Sequence, residues 1–508
     1  MLANIFSCAL VGIDAYVVDV EVDISRGLPT FSTVGLAEGA VKESKERVKA
    51  ALKNSGYDFP AKKITVNLAP ADIKKEGSGY DLPIAIGILT ATKLINNPKL
   101  IDHLIIGELS LDGSIRPIKG ALSMAITAKA IGLKGMYLPS VNASEAGVVD
   151  GINIYPVDTL PQLVQILNGF EEVMPVKVET GVEHTRPEYD TDFNEVCGQE
   201  NVKRALEIAA AGGHNILMIG PPGAGKTMLA QRLSTILPDL TFNESLETSQ
   251  IYSAMGFMPR NQGIITVRPF RAPHHTISDA GLIGGGKTPK PGEVSLAHNG
   301  ILFLDEMPEF KKNVLEVLRQ PLENGYVTIS RASSTVTYPA RFILVGAMNP
   351  CPCGFFGDPR HECTCSYREI IRYRSRISGP LLDRIDIHID VPSVPFKDLT
   401  GVGEGRSSAE IRDDIIAARN IQEERFHRTK IHTNSMMNTR QINKFCKIDD
   451  KSKSLLEMAM EKFGFSARAL SRILKVSRTI ADIEGSTNIE ANHVAEAIQY
   501  RSFDRKLV

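Results

Sequence analysis

The 508-residue chain has almost no net charge, since 58 Lys and Arg stand against 59 Asp and Glu to leave −1. Such a balance excludes a global pull toward nucleic acid or membrane, so any polyanion-binding surface must be a local patch. Long apolar runs are missing too. The longest nearly apolar stretch, Leu82 to Ala91, is about half a membrane span. The opening Met1-Leu-Ala-Asn-Ile-Phe lacks the basic segment of a secretion signal. Both features predict a cytoplasmic protein. Cysteine is scarce: of seven, four fall between Cys351 and Cys365 and three, Cys8, Cys197 and Cys446, are isolated. Isolated cysteines usually pack in cores, and a cluster without a secretion signal points to metal before disulfide. What remains, 43% hydrophobic and 23% charged residues, describes an ordinary globular chain, too long for one core and of a size for about three domains.

The most informative stretch is Gly220-Pro-Pro-Gly-Ala-Gly-Lys-Thr227, preceded by the apolar Ile216-Leu-Met-Ile219 and followed by Met228-Leu-Ala-Gln-Arg-Leu. Strand, glycine-rich turn and helix in that order form a P-loop. Backbone N–H groups from Gly220, Pro222's neighbours Gly223, Ala224 and Gly225, and the first helical residues through Met228, would close around phosphate oxygens at a helix N-terminus; Pro221 and Pro222 shape the turn. Lys226 would reach the β- and γ-phosphates of ATP and Thr227 would ligate Mg²⁺. Downstream, Ile301-Leu-Phe-Leu-Asp-Glu306 is an apolar strand ending in two acids. Asp305 would hold Mg²⁺ through its water shell and Glu306 would act as general base toward the attacking water. The strand Phe342-Ile-Leu-Val-Gly-Ala-Met ends at Asn349, a polar residue placed for the γ-phosphate.

Ahead of the P-loop, alternating strands near Ala9 to Asp23 and Ile64 to Leu68, and helices over Gly39 to Asn54, Leu82 to Leu94 and Ala121 to Ala130, predict an α/β domain. Gly113-Ser-Ile-Arg-Pro-Ile-Lys-Gly-Ala-Leu and Ala128-Lys-Ala-Ile-Gly-Leu-Lys-Gly-Met-Tyr-Leu-Pro139 resemble the end of a Lon-type protease domain. That family uses a Ser–Lys dyad, but the resemblance puts Met124 at the lysine's place, and Met cannot move a proton. Peptidase activity is not expected, and Ser78 beside Lys74 and Lys75 reads as a structural turn. Domains are expected at 1–170, 191–398 and 399–508, with a charged, unpatterned linker over 171–190.

Within the central domain an insert is expected over 246–297. It contains Arg268-Pro-Phe-Arg-Ala-Pro-His-His-Thr276 and Gly281-Leu-Ile-Gly-Gly-Gly-Lys-Thr288. The latter fits the P-loop pattern in letters only, because no apolar strand precedes it and Pro289 and Pro291 forbid the following helix. It reads as a loop with Lys287 and Lys290 placed for polymer contact. His274 and His275 read as surface or hydrogen-bonding residues. Lys311 to Leu322 predicts a helix, and Tyr326 to Tyr338 a β-hairpin with Arg331 near its tip. Cys351, Cys353, Cys363 and Cys365 form C-x-C, nine residues, C-x-C, four thiolates for Zn²⁺, with His361 an alternative ligand and free thiols the other reading. The basic run Tyr367 to Arg376 suits a solvated helix face or phosphate contact. From Ser407 onward the chain reads as helical.

The P-loop, Arg271-Ala-Pro-His-His, Pro291-Gly-Glu-Val-Ser-Leu-Ala-His-Asn-Gly-Ile-Leu-Phe-Leu-Asp-Glu306 and Ala347-Met-Asn-Pro-Cys-Pro-Cys-Gly354 together resemble the magnesium-chelatase-like branch of AAA+ ATPases. With the Lon-like domain in front, the whole chain resembles the ComM/YifB family. That resemblance implies a hexameric ATP-driven motor on DNA that promotes branch migration during natural transformation. It implies further that Arg384 is an arginine finger acting on a neighbouring subunit, Arg468 a sensor in the lid and Asn349 the sensor that orients the lytic water. The hairpin at Arg331 and the insert at Lys287 would then face a central pore and grip DNA. A chelatase-type motor acting on a protein partner is the alternative.

Overall fold

The computed structural model describes the chain apart from residues 37–38, 97, 179–188, 260–261, 287, 332–333, 395–404, 430 and 502–508. The chain divides into two units, Met1–Thr185 with Phe242–Thr266, and Arg186–Thr241 with Val267–Val508.

In the first unit the alternating pattern of Asp14–Ser25 buries Val18, Val20, Val22 and Ile24. They face the same core as Ile64, Val66 and Leu68 of the antiparallel neighbour Lys63–Ala69. The seven-stranded mixed sheet runs Thr30–Val34, Lys63–Ala69, Asp14–Ser25, Leu2–Val11, His103–Ile105, Gly135–Pro139, Asn153–Val157. Helix Asp81–Ala91 is apolar on nearly every side and correspondingly buried. Met124 is buried on helix Ala121–Ala130. The Ser78 hydroxyl donates to the Glu108 carboxylate and the Lys75 ammonium to the Pro70 carbonyl, so neither is set against the other as a dyad.

The expected insert is not one piece. Helix Phe242–Met255 packs in the first unit, where the Ser253 carbonyl accepts from the Gly120 N–H at 2.9 Å. Its buried face is Ser245, Thr248, Ser249, Ile251 and Ser253, mostly small hydroxyl side chains that permit close approach and leave no apolar stripe for sequence reading to find. The chain leaves the second unit at Thr241 and returns at Val267. Arg268 ties the two ends together, donating to the carbonyls of Pro238 at 2.6 Å, Asp239 at 3.1 Å and Asn299 at 2.7 Å. Of the expected linker over 171–190, residues 179–188 lie outside the described residues.

The second unit holds a five-stranded parallel sheet in the order Phe270–Arg271, Gly300–Leu304, Phe342–Met348, Ile216–Ile219, Ile387–Asp390. Strands covered on both faces read as unbroken apolar runs, and Ile216–Ile219 and Gly300–Leu304 are buried throughout. The strand before the P-loop therefore lies between two strands from far downstream, which brings three loops to the carboxyl ends of adjacent strands. The predicted helix at Lys311 to Leu322 is two short ones, Lys312–Glu316 and Arg319–Asn324. Pro321 lacks the N–H that would bond the Val317 carbonyl, so the helix cannot run through. The lid helices Ser408–Phe426, Thr439–Phe445, Asp450–Phe463, Ala467–Ile483 and Ala491–Gln499 share one apolar core with the sheet and its helices.

A buried polar seam joins sheet and lid. His214 Nε2 lies 2.8 Å from Thr479 Oγ1, its Nδ1 lies 3.6 Å from Asp386, and Arg472 donates to Asp386 at 2.7 Å. Burial alone would raise the Asp386 pKa, but Arg472, His214 and Lys475 together hold it below the usual carboxylate range. Burial lowers the His214 pKa, Asp386 opposing, with Lys475 and Arg472 adding to the fall. The unfolded chain then binds a proton at His214 that the folded one refuses, so stability is lost as pH falls through the ordinary histidine value of about 6.5. Asp386 adds a second loss only once pH falls below about 4, the ordinary Asp value. Thermal melting from pH 8 to 5 is expected to show the midpoint falling below about pH 6.5. A His214→Gln chain should show a flatter profile in that window, and an unchanged profile would remove His214 from the account.

Candidate nucleotide site

Helix Lys226–Ile236 starts directly after the turn, with Gly225 at φ +85° as its cap. Only glycine holds that left-handed conformation without strain, so the lysine and threonine that follow are delivered into the first helical turn. Lys226 is buried and its Nζ donates to the Gly220 carbonyl at 2.8 Å, the Pro221 carbonyl at 2.9 Å and Asn349 Oδ1 at 3.2 Å. Burial lowers its pKa, against the opposing charges of Asp305 and Glu306. The Thr227 hydroxyl donates to Asp305 Oδ2 at 2.8 Å, setting a hydroxyl and a carboxylate side by side as a hard oxygen pair. Glu306, exposed, takes φ +49° and donates its N–H to Asp305 Oδ1 at 2.8 Å. A glutamate in the left-handed region costs of order 1 kcal/mol and persists only where surroundings impose it. Here the twist turns Glu306 away from the strand axis and lets Asp305 anchor both Thr227 and the Glu306 backbone.

Three sequence-distant segments thus meet: Lys226 and Thr227, Asp305 and Glu306, and Asn349. A phosphate-binding turn, a buried ammonium at its centre and an oxygen pair beside it fit a nucleoside triphosphate with a divalent cation.

Two contributors were not legible beforehand. His275 Nδ1 lies 3.6 Å from a Glu306 carboxylate oxygen, with Phe310 edge-on to its ring. His274 turns instead to Thr276 Oγ1 at 3.0 Å. Gln199 Nε2 donates to Ala224 of the P-loop at 3.0 Å and to the Pro392 carbonyl at 2.7 Å. It borders a cavity of about 540 Å³ lined by Val202, Ile389, Asp390 and Tyr500 among others. Val202, Ile389 and Tyr500 give it an apolar and aromatic side, and Glu200, Asn201, Asp390 and Gln499 a polar one. Neither His275 nor Gln199 carries a local spacing signal, because each reaches its partner only through the fold.

Known proteins resemble the whole of this chain. Competence protein ComM of Haemophilus influenzae is 45% identical over all of it and 98% of the relative's own length. Uncharacterized protein YifB of Escherichia coli is 44% identical, again over all of this chain and 98% of its own. The chain belongs to the ComM/YifB family. Family models described as Magnesium chelatase, subunit ChlI, as Subunit ChlI of Mg-chelatase, and as Magnesium chelatase, subunit ChlI C-terminal match residues 192–399, 20–142 and 405–501. The Magnesium-chelatase 38 kDa subunit of Rhodobacter capsulatus is 27% identical, over only 33% of this chain and 51% of its own. Membership in this magnesium-chelatase-like AAA+ family supports an ATPase.

The remaining residues expected from the ComM/YifB resemblance lie as follows. Arg384 is buried, its guanidinium paired with the Glu323 carboxylate and the Pro380 carbonyl. Arg468 is exposed in the first turn of the lid helix Ala467–Ile483. Arg331 is exposed at the end of strand Tyr326–Arg331, opposite Ser334 of Ser334–Pro339. Lys287 lies outside the described residues. The insert segment Gly284–Gly285 pairs with Lys290–Pro291, so the second P-loop-like stretch forms a small hairpin rather than a phosphate turn. Its Gly285 lies against the Arg331 guanidinium, and the Tyr338 hydroxyl donates to the Pro289 carbonyl at 2.8 Å. Hairpin and insert therefore pack against one another. Helix Tyr367–Arg374 follows a Ser366–Glu369 capping box. The four clustered cysteines come together, and the His361 ring lies tilted against Phe355 with ring centroids 4.7 Å apart.

Proposed function

We propose that this protein is a cytoplasmic, hexameric, ATP-driven motor that moves branch points in DNA recombination intermediates. The observation that carries the reading is the convergence of Lys226, Thr227, Asp305, Glu306 and Asn349 in one site, in a chain similar along its whole length to a competence protein. ATP with Mg²⁺ supplies the scissile phosphoanhydride. Lys226 holds the phosphates and Thr227 with Asp305 holds the cation. Glu306 takes the proton of the attacking water, with His275 positioning its carboxylate and Asn349 orienting the water. Arg384 acts from a neighbouring subunit and Arg468 from the lid. The Arg331 hairpin and the insert packed against it grip the polynucleotide, mainly by phosphate contacts, which makes binding sequence-tolerant and salt-sensitive.

No described helix is long and apolar enough to cross a membrane, in keeping with a partner in solution. A chelatase-type motor subunit is the second reading, favoured by the family-model descriptions and weakened by the partial coverage of the chelatase relatives. Peptidase action has no support, with Met124 buried and Ser78 engaged by Glu108.

The deciding experiment is strand exchange on a synthetic four-way junction. ATP is expected to drive exchange, and the same DNA to stimulate ATP turnover. Turnover that ignores DNA but rises with a chelatase partner would transfer the chain to the second reading.

A further inference from the structure

The four clustered cysteines lie outside the chemistry described so far, yet they begin two residues after Asn349. All four sulfurs lie within 4.8 Å of one another. Cys351 Sγ is 3.3 Å from Cys353 Sγ and 3.7 Å from Cys363 Sγ, and Cys353 and Cys363 are 3.6 Å apart. A regular tetrahedron of Zn–S bonds of about 2.3 Å has edges of about 3.8 Å. A disulfide needs about 2.05 Å, and all four are free. Backbone N–H groups point at the sulfurs, Cys353 toward Cys365 and Phe356 toward Cys351, each at 3.3 Å. Such bonds stabilise thiolates and fix ligand direction around a metal.

The loop that carries this cluster is packed onto the nucleotide site. Gly354, at φ +89°, comes so close to Pro222 of the P-loop that a Cβ would lie 2.5 Å from the proline Cδ. Arg374 donates to the Pro350 carbonyl at 3.0 Å and lies over the Phe356 ring. The buried Tyr373 side chain of the same helix lies near the Asn349 backbone. Asn349, which accepts from Lys226, thus directly follows strand Phe342–Met348 and opens the thiol-bearing loop.

We propose that Cys351, Cys353, Cys363 and Cys365 bind one structural zinc ion, and that this ion braces Asn349 and the P-loop in the geometry nucleotide turnover requires. Four sulfur ligands leave no open position, so the ion takes no part in the chemistry. It closes the loop from 351 to 365 and presses Gly354 onto Pro222. The brace rests on the ATPase reading, whereas the metal site does not.

The test uses the full chain purified without metal-chelating resin. Elemental analysis is expected to find one zinc per chain in the wild type and none in Cys363→Ser/Cys365→Ser, whose changes lie away from Pro222. Cobalt substitution should give the visible bands of a tetrahedral thiolate site. The double variant should hydrolyse ATP roughly 10- to 100-fold more slowly, the effect of a displaced positioning group. Wild type stripped by a membrane-permeant zinc chelator and reloaded should lose and regain that rate, which answers for a variant that fails to fold. A fluorescent ATP analogue reads the brace without hydrolysis, through weaker binding on zinc removal. Iron in place of zinc, no metal, or a disulfide among the four cysteines overturns the site. Zinc whose removal leaves both turnover and nucleotide binding unchanged overturns the brace.

Discussion

A Glu306→Gln chain is expected to bind ATP and four-way junctions as the wild type does and to hydrolyse ATP roughly a thousandfold more slowly. The substitution keeps size and hydrogen-bonding capacity but removes the group that accepts a proton. Glu306 is exposed and its backbone is held by Asp305, so neither the strand nor the Thr227–Asp305 pair should change. Branch migration should stop with hydrolysis, because a motor that binds without cleaving cannot cycle. The informative measurement is single-turnover hydrolysis beside a nucleotide-binding titration on the same sample. A thousandfold loss of binding would mean that Glu306 holds the nucleotide and is not the base. A turnover within a few-fold of wild type would place the base elsewhere, with His275, whose ring lies 3.6 Å from the Glu306 carboxylate, the next residue to replace.

The segments of the candidate site were legible because each is local: a glycine-rich turn after an apolar strand, two acids at a strand end, a polar residue just past a third strand. What was not legible is assembled across the fold. Helix Phe242–Met255 buries serines and a threonine, so its membership in the first unit leaves no hydrophobic period. Gln199 reaches the Pro392 carbonyl across 193 positions, and His275 meets Glu306 only because strands Phe270–Arg271 and Gly300–Leu304 are neighbours. The single predicted helix at Lys311 to Leu322 shows the opposite error, where a sound apolar period overrode the proline at 321 that divides it. The point where the chain leaves the second unit at Thr241 and returns at Val267 is hidden for a related reason: Arg268 clasps the two ends, and no change in composition marks the crossing.

The second large effect concerns Arg384. If it acts on a neighbour's nucleotide, Arg384→Ala should lower turnover by three or more orders of magnitude while each subunit still binds ATP. In this protomer the guanidinium is buried against the Glu323 carboxylate and the Pro380 carbonyl. Use in trans therefore requires it to leave Glu323, which is half-exposed and can be solvated once the partner is gone. The same exposure means that Arg384→Ala should not strand a buried charge, so loss of turnover is separable from loss of fold by melting. Mixing provides the stricter test. Lys226→Ala subunits bind no nucleotide but keep the arginine, and Arg384→Ala subunits bind nucleotide but lack it. Each is expected to be inactive alone, and an equal mixture should regain turnover, because some interfaces pair an intact Lys226 site with an intact Arg384. Recovery requires subunits to complete one another's sites. A mixture as inactive as its parts, with assembly confirmed, would make Arg384 a residue of its own subunit, and its pairing with Glu323 would then be its whole role.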